Sequence, residues 1–208
     1  GERAVGWYNQ AYKWVGALNV IPAYFTFALF PVLSRQAAED KDAARRSYHL
    51  AIKLLVMLAL PVAVLTTFFA RELTSIITLG DPRFQPDATI ALRLMIWSIP
   101  FGWINSVTNY VLIALGQQRK LTNAFLIGLG FNVVANLIFI PLYSYKAAAV
   151  ITILSEIVEG SAFYWYIRKS LGPVPWAGLR WSAPCSRAAA SGSSNSPYLP
   201  EDRASRRG

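Results

Sequence analysis

The chain has 208 residues, 54% hydrophobic and only 15% charged, with a net charge of +9. The positive charges lie between long apolar runs, so they read as membrane topology signals, and the composition excludes an ordinary soluble domain or a nucleic-acid-binding module. One cysteine, Cys185, and one histidine, His49, exclude a disulfide framework, a thiolate metal centre and most His-paired nucleophile schemes.

The sequence opens Gly1-Glu2-Arg3 without Met or a basic-then-apolar leader, which leads us to expect a piece of a longer protein. A spanning helix needs about 20 mostly apolar residues. Five runs meet that length, so the expected fold is all-α, a polytopic membrane helix bundle. The first run covers 8–33 and includes the uncharged WVGALNVIPAYFTFALFPVL. A polar, helix-compatible connection, RQAAEDKDAARRSYH, leads to the second, 50–70. ARELTSIITLGDPRFQPDAT follows, read as a short helix and a turn at Gly80-Asp81-Pro82. The third run is 94–118, and GQQRKLT joins it to the fourth, 121–143. The fifth, 147–167, ends at IRKSLG. Pro22, Pro31, Pro61 and Pro100 fall inside or at the ends of these runs and predict kinks. Residues 172–208 turn to Pro, Ser, Gly, Ala and Arg and are expected to be a disordered polar tail, with a shifted or chimeric reading frame as the open alternative.

Alternation of five spans puts Arg35, Lys41, Arg45, Arg46, Lys53, Arg119, Lys120, Arg168 and Lys169 on one side. Arg3, Lys13, Arg71, Arg83, Arg93 and Lys146 fall on the other. The richer side is expected to be cytoplasmic, and the end of the fifth span lies there.

Four of the five spans carry one polar or small stripe at helical spacing. The first has Tyr12, Gly16, Asn19, Ala23 and Thr26; the third Ser98, Gly102, Asn105 and Asn109. The fourth has Gly128, Asn132 and Asn136, and the fifth Thr152, Glu156, Glu159 and Gly160. Close helix packing glued by amides explains such stripes, and so does a hydrated cavity. The two acids weigh toward the cavity. A carboxylate at a span centre costs about 2.5–3.5 kcal/mol, so Glu156 and Glu159 must face water, meet a cation or carry a proton. Three residues apart, they repel each other when both are ionised. The candidate cavity-lining residues, for substrate or coupling ion, are Asn19, Asn105, Asn109, Asn132, Asn136, Glu156 and Glu159. There is no HExxH, Walker loop or GxGxxG, so no enzyme, metal or cofactor reading competes.

Two stretches carry a family pattern. VGWYNQAYKWVGALNVIPAYFTFALFPVLSR holds Gly6, Tyr8, Ala11, Ile21-Pro22 and Pro31-Val32-Leu33-Ser34. ALGQQRKLTNAF with NVVANLIFIPLYSYKAAAVITILSE holds Ala114, Gly116, Asn132, Asn136, Ile140-Pro141, Ala147, Ala148, Ser155 and Glu156. In order and spacing these resemble the oligosaccharide flippases, or polysaccharide biosynthesis proteins, of O-antigen flippase type. These belong to the multidrug/oligosaccharidyl-lipid/polysaccharide exporter superfamily. The usual Tyr-Gly-x-x-Gly-Ala corner reads Tyr143-Ser144-Tyr145-Lys146-Ala147-Ala148 here, which puts the tightness of that turn in question. The resemblance covers about residues 5–171 and implies one lobe of a two-lobe transporter, with 1–171 as most of the C-terminal lobe and an N-terminal lobe as its partner. It implies flipping of undecaprenyl-linked oligosaccharide across the bacterial inner membrane for polysaccharide and lipopolysaccharide biosynthesis, by alternating access, with a coupling ion or membrane potential as drive. Lipid-linked oligosaccharide and membrane lipids are the implied partners, and no catalytic residue, cofactor or metal is implied. A drug/cation antiporter of the same superfamily and a non-transporting membrane scaffold stay open as alternatives.

Overall fold

The computed structural model describes residues 2–172, with side chains from residue 5; Cys185 and the tail expected beyond Gly172 lie outside the described residues. Helix α1 (Glu2–Leu18) runs into α2 (Val20–Glu39) with a break at Asn19. The break is placed by Pro22, which sits in the first turn of α2, where a missing N–H leaves no intrahelical bond unmade. The Thr26 hydroxyl donates to the Pro22 carbonyl at 2.7 Å. Pro100 likewise falls in a first turn, whereas Pro31 and Pro61 lie inside helices.

The polar connection after the first span is not a loop. α2 continues to Glu39, and α3 (Lys41–Phe68) begins at once, separated only by the extended residue Asp40. The Asp40 carboxylate accepts the Asp42 amide at 2.8 Å and so caps α3. The helices therefore extend beyond 8–33 at both ends and begin nine residues before 50, though α3 ends at Phe68, because Gln, Ala, Lys and Arg are good helix formers outside the apolar core.

α4 (Ala70–Ile77) is followed by a turn with Leu79 and Gly80 at φ 53° and 75° and a 3₁₀ turn, Pro82–Phe84. This is the short helix and turn read from the sequence. The Asp81 carboxylate accepts from the Arg83 side chain at 2.6 Å, and this contact holds its carboxyl below the usual carboxylate range. α5 (Asp87–Met95), a 3₁₀ turn (Ile96–Ser98) and α6 (Ile99–Ala114) form the next crossing, which begins earlier than 94. A tight turn with Gly116 at φ 68° leads to α7 (Gln118–Leu171).

α7 holds the largest departure from a simple helix. Ser144 has φ 54° and ψ −138°, and there the helix folds back on itself. Three contacts at successive levels show two antiparallel limbs, 118–143 and 145–171. Ser170 donates to Gln117 at 2.7 Å, the Phe125 and Phe163 rings meet edge to face at 5.7 Å, and Asn132 donates to Ser155 at 2.9 Å. The corner without its glycine is thus a one-residue turn. Ser144 adopts a backbone region that L-residues rarely occupy.

The α5–α6 crossing is innermost. α6 packs on α2, α3 and α7, and its Trp103, Val107 and Leu112 are fully buried. α3 offers Ala59 and Ala63 to the core, small residues that let helices approach closely. Outward, Tyr24, Phe27 and Leu137 are each more than 70% exposed. An apolar exterior around an apolar core suits lipid as solvent. The described residues form no strand, and four helical segments are long and apolar enough to cross a membrane: Val5–Glu39, Lys41–Phe68, Asp87–Ala114 and Gln118–Leu171. The expected all-helical membrane fold holds.

Candidate functional site: a polar seam along the folded helix

The second limb of α7 distributes its polar residues among three neighbours. Thr152 shares a hydrogen bond with Tyr8 of α1 at 3.1 Å. Glu156 faces α6, where Asn105 donates to its carboxylate at 2.8 Å and to its backbone carbonyl at 2.9 Å. Ser155 and Glu159 face the first limb, at Asn132 and Gly128. The residues of the stripe face different neighbours, and the two acids do not share a partner: one step of three residues turns Glu159 away from α6.

Glycines make this closeness available. A Cβ on Gly102 would lie 3.5 Å from the Glu156 carboxylate, and one on Gly160 only 2.8 Å from the Asn105 Oδ1. Glu156 thus packs over Gly102 while Asn105 packs over Gly160, a reciprocal fit between α6 and the second limb. Across the hairpin, a Cβ on Gly128 would lie 3.1 Å from Glu159 Oε2. Asn105 is buried, so its two bonds matter: leaving a buried amide or carboxylate unpaired costs about 1–3 kcal/mol or more.

The seam opens into a groove of about 500 Å³ lined by Thr122, Gly128, Asn132, Thr152, Ser155, Glu156 and Glu159, with Phe125, Leu126 and Leu129 as its greasy wall. Both Glu156 and Glu159 line it. Such a mix gives hydroxyl and amide groups suited to sugar hydroxyls, and acids suited to a cation or proton. Among the described residues no group of three or more His, Cys, Asp or Glu gathers as a metal site.

The seven residues singled out in the sequence fall into four places. Asn105, Asn132, Glu156 and Glu159 converge on the seam. Asn136 donates to Asn132 at 2.9 Å and lines a second groove beside Tyr8 and Ser144. Its Oδ1 is buried without a hydrogen-bond partner, as is that of Asn109, one turn along α6 from Asn105. Asn19 lies apart, exposed at the α1–α2 break, accepting from Trp103 Nε1 at 3.1 Å. Of its stripe, Tyr12 and Gly16 are also exposed, while Thr26 is buried. Sequence reasoning passed over Ser155, Gly102, Gly128 and Gly160 as site residues; the signal was present as small residues at helical spacing on the same stripes as the Asn and Glu.

Comparison with known proteins bears on what this seam belongs to. The family model described as lipid II flippase MurJ matches residues 15–190. Among curated proteins, an uncharacterized membrane protein of Methanocaldococcus jannaschii, MJ1068, is 24% identical over 159 residues. That match takes in 74% of this chain but 31% of the relative, so the chain spans about a third of that protein's length. No solved structure matches.

Proposed function

The chain belongs to the lipid II flippase MurJ family, and from that membership we propose that this multi-pass membrane protein is part of a flippase for a polyprenyl-linked saccharide. The observation that carries the reading is the polar seam: Asn132, Glu156 and Glu159 along an open groove of an otherwise apolar bundle, with Asn105 bonded to Glu156 behind it. Residues 1–171 form most of one lobe, with a second lobe completing the cavity. In this reading the chain sits in a bacterial inner membrane with the end of α7 on the cytoplasmic side, as the Lys and Arg distribution favours.

The division of labour follows from charge. A diphosphate-linked headgroup is anionic, so two carboxylates would repel it at contact. Glu156 and Glu159 therefore serve a coupling proton or cation and the sugar hydroxyls, while Asn132, Asn136 and Asn109 supply amide donors and acceptors. The Asn105–Glu156 contact closes α6 against the second limb. Loading Glu156 with a proton or cation weakens the carboxylate as an acceptor for Asn105 and lets these elements separate, one half of an alternating-access cycle.

Two headgroups compete. The family description supports the peptidoglycan precursor lipid II. The paired motifs, Ile21-Pro22 with Pro31-Val32-Leu33-Ser34 and Asn132 with Asn136, support an undecaprenyl-linked oligosaccharide of O-antigen type. Reconstituting the parent protein in vesicles with fluorescent lipid II or an undecaprenyl-linked oligosaccharide, and measuring protection from an external reagent, separates them. Movement of either lipid supports a flippase. Movement of neither, with proton- or sodium-coupled efflux of small organic cations instead, would make the protein an antiporter.

A further inference from the structure

On the opposite face of the second limb from the polar seam lies a separate groove of about 340 Å³. It shares no lining residue with the seam. Its buried floor is a small apolar cluster of its own, Ala135, Ala147 and Ile151. Phe131, Phe139 and Tyr143 from the first limb and Val150 and Leu154 from the second rise beside it, each partly exposed. At the end nearest the Ser144 turn sits Lys146, exposed, its ammonium 6.0 Å from the Tyr145 ring centre. No carboxylate pairs with Lys146 among the described residues.

We propose that this groove binds an anionic phospholipid, with one acyl chain along the alanine floor and the phosphate on Lys146. Three observations lead there. The groove is apolar along its length except for one cation at its end, which matches a chain with a charged head. The cation stands where the hairpin turns, which is where a spanning hairpin meets the headgroup region. From Tyr143 to Phe131 the helix rises about 18 Å, close to the depth of one leaflet of a roughly 30 Å hydrocarbon core. A neutral chain-filling partner would offer Lys146 no counter-charge. The small residues Ala135 and Ala147 are what make the hairpin surface concave rather than ridged at this level. The lipid would wedge beside the turn that sets the angle between the two limbs.

The test uses the parent protein in phosphatidylcholine vesicles carrying a minor fraction of a photoactivatable phospholipid with its diazirine on the acyl chain. The headgroup is either phosphatidylglycerol or phosphatidylcholine, and adducts are mapped by mass spectrometry. We expect adducts on 131–154, with the phosphatidylglycerol probe favoured about fivefold, the ratio that ~1 kcal/mol per basic residue at a lipid surface gives. Lys146→Gln should remove that preference and Lys146→Arg should keep it; both changes are at an exposed position and leave the bundle intact. Equal labelling by the two probes in the unaltered protein overturns the proposal. So does a preference that survives Lys146→Gln, and so does a groove that stays unlabelled because another helix or a second copy lies over it.

Discussion

Asn105 spends its amide on one neighbour, donating to both the carboxylate and the carbonyl of Glu156 while its Oδ1 rests where a Gly160 side chain would be. Gly160→Ala would put a methyl 2.8 Å from that oxygen, too close for contact. The amide must shift, and its bonds to Glu156 go with it. We expect a loss of about 1–3 kcal/mol, read as a lower unfolding temperature in detergent. Asn105→Ala should lose a similar amount by leaving Glu156 buried without its donor. Ser144→Gly tests the opposite sign. The residue holds φ 54° and ψ −138°, and glycine removes a strain of about 1–3 kcal/mol at the expense of a more flexible unfolded chain. The variant should melt higher, and Ser144→Val lower. At this scale the sequence was informative about identity and poor about pairing. Spacing put Glu156, Glu159, Asn105 and Asn132 on stripes, because a helix fixes which residues share a face. It could not say that Glu156 meets Asn105 while Glu159 meets Gly128, because partner choice depends on how helices far apart in sequence are docked.

The elements show the same boundary of what can be read. The apolar runs announced the crossings, since nothing but a bilayer accommodates so many uncharged stretches in one chain. The helices run past the apolar stretches wherever polar residues stay helical: RQAAEDKDAARRSYH, helix-compatible in sequence, is helix except for Asp40. Polar residues end a membrane run without ending a helix, and only the cap marks the break. Asp40→Ala should therefore loosen the α2–α3 junction and cost about 1 kcal/mol, detectable as faster amide exchange in the first turn of α3. The hairpin in α7 was foreseeable as two runs separated by a short corner. Its tightness was not, because the expected glycine is a serine, and the backbone there is set by packing of the two limbs rather than by local preference. α4 and its turn were legible because Gly80-Asp81-Pro82 carries its own stereochemistry.

At the scale of the molecule, the bundle is a buried α5–α6 crossing wrapped by helices whose outer faces suit lipid, with one polar seam running beside it. A scaffold would keep such a seam for packing alone and would tolerate conservative changes of charge. The proposed flippase would not, since in that reading the acids and amides meet an ion and a sugar headgroup in turn. Glu156→Gln keeps the shape and leaves an oxygen to accept from Asn105, more weakly than the carboxylate, and removes the charge that a proton or cation would load. We expect it to fold as the parent does and to slow flipping by at least tenfold, which corresponds to ~1.4 kcal/mol of barrier. Family membership supports the lipid-linked class of substrate, and the seam supports the part of the chain that handles it. The measurement that tests this most directly is flipping by the intact protein in vesicles, with Asn105, Asn109 and Glu156 all replaced by leucine or alanine and insertion checked by protease protection. Transport of the lipid-linked saccharide should fall to the level of empty vesicles while the protein remains inserted. Undiminished transport by the correctly inserted triple variant would contradict the account and leave the seam a packing device.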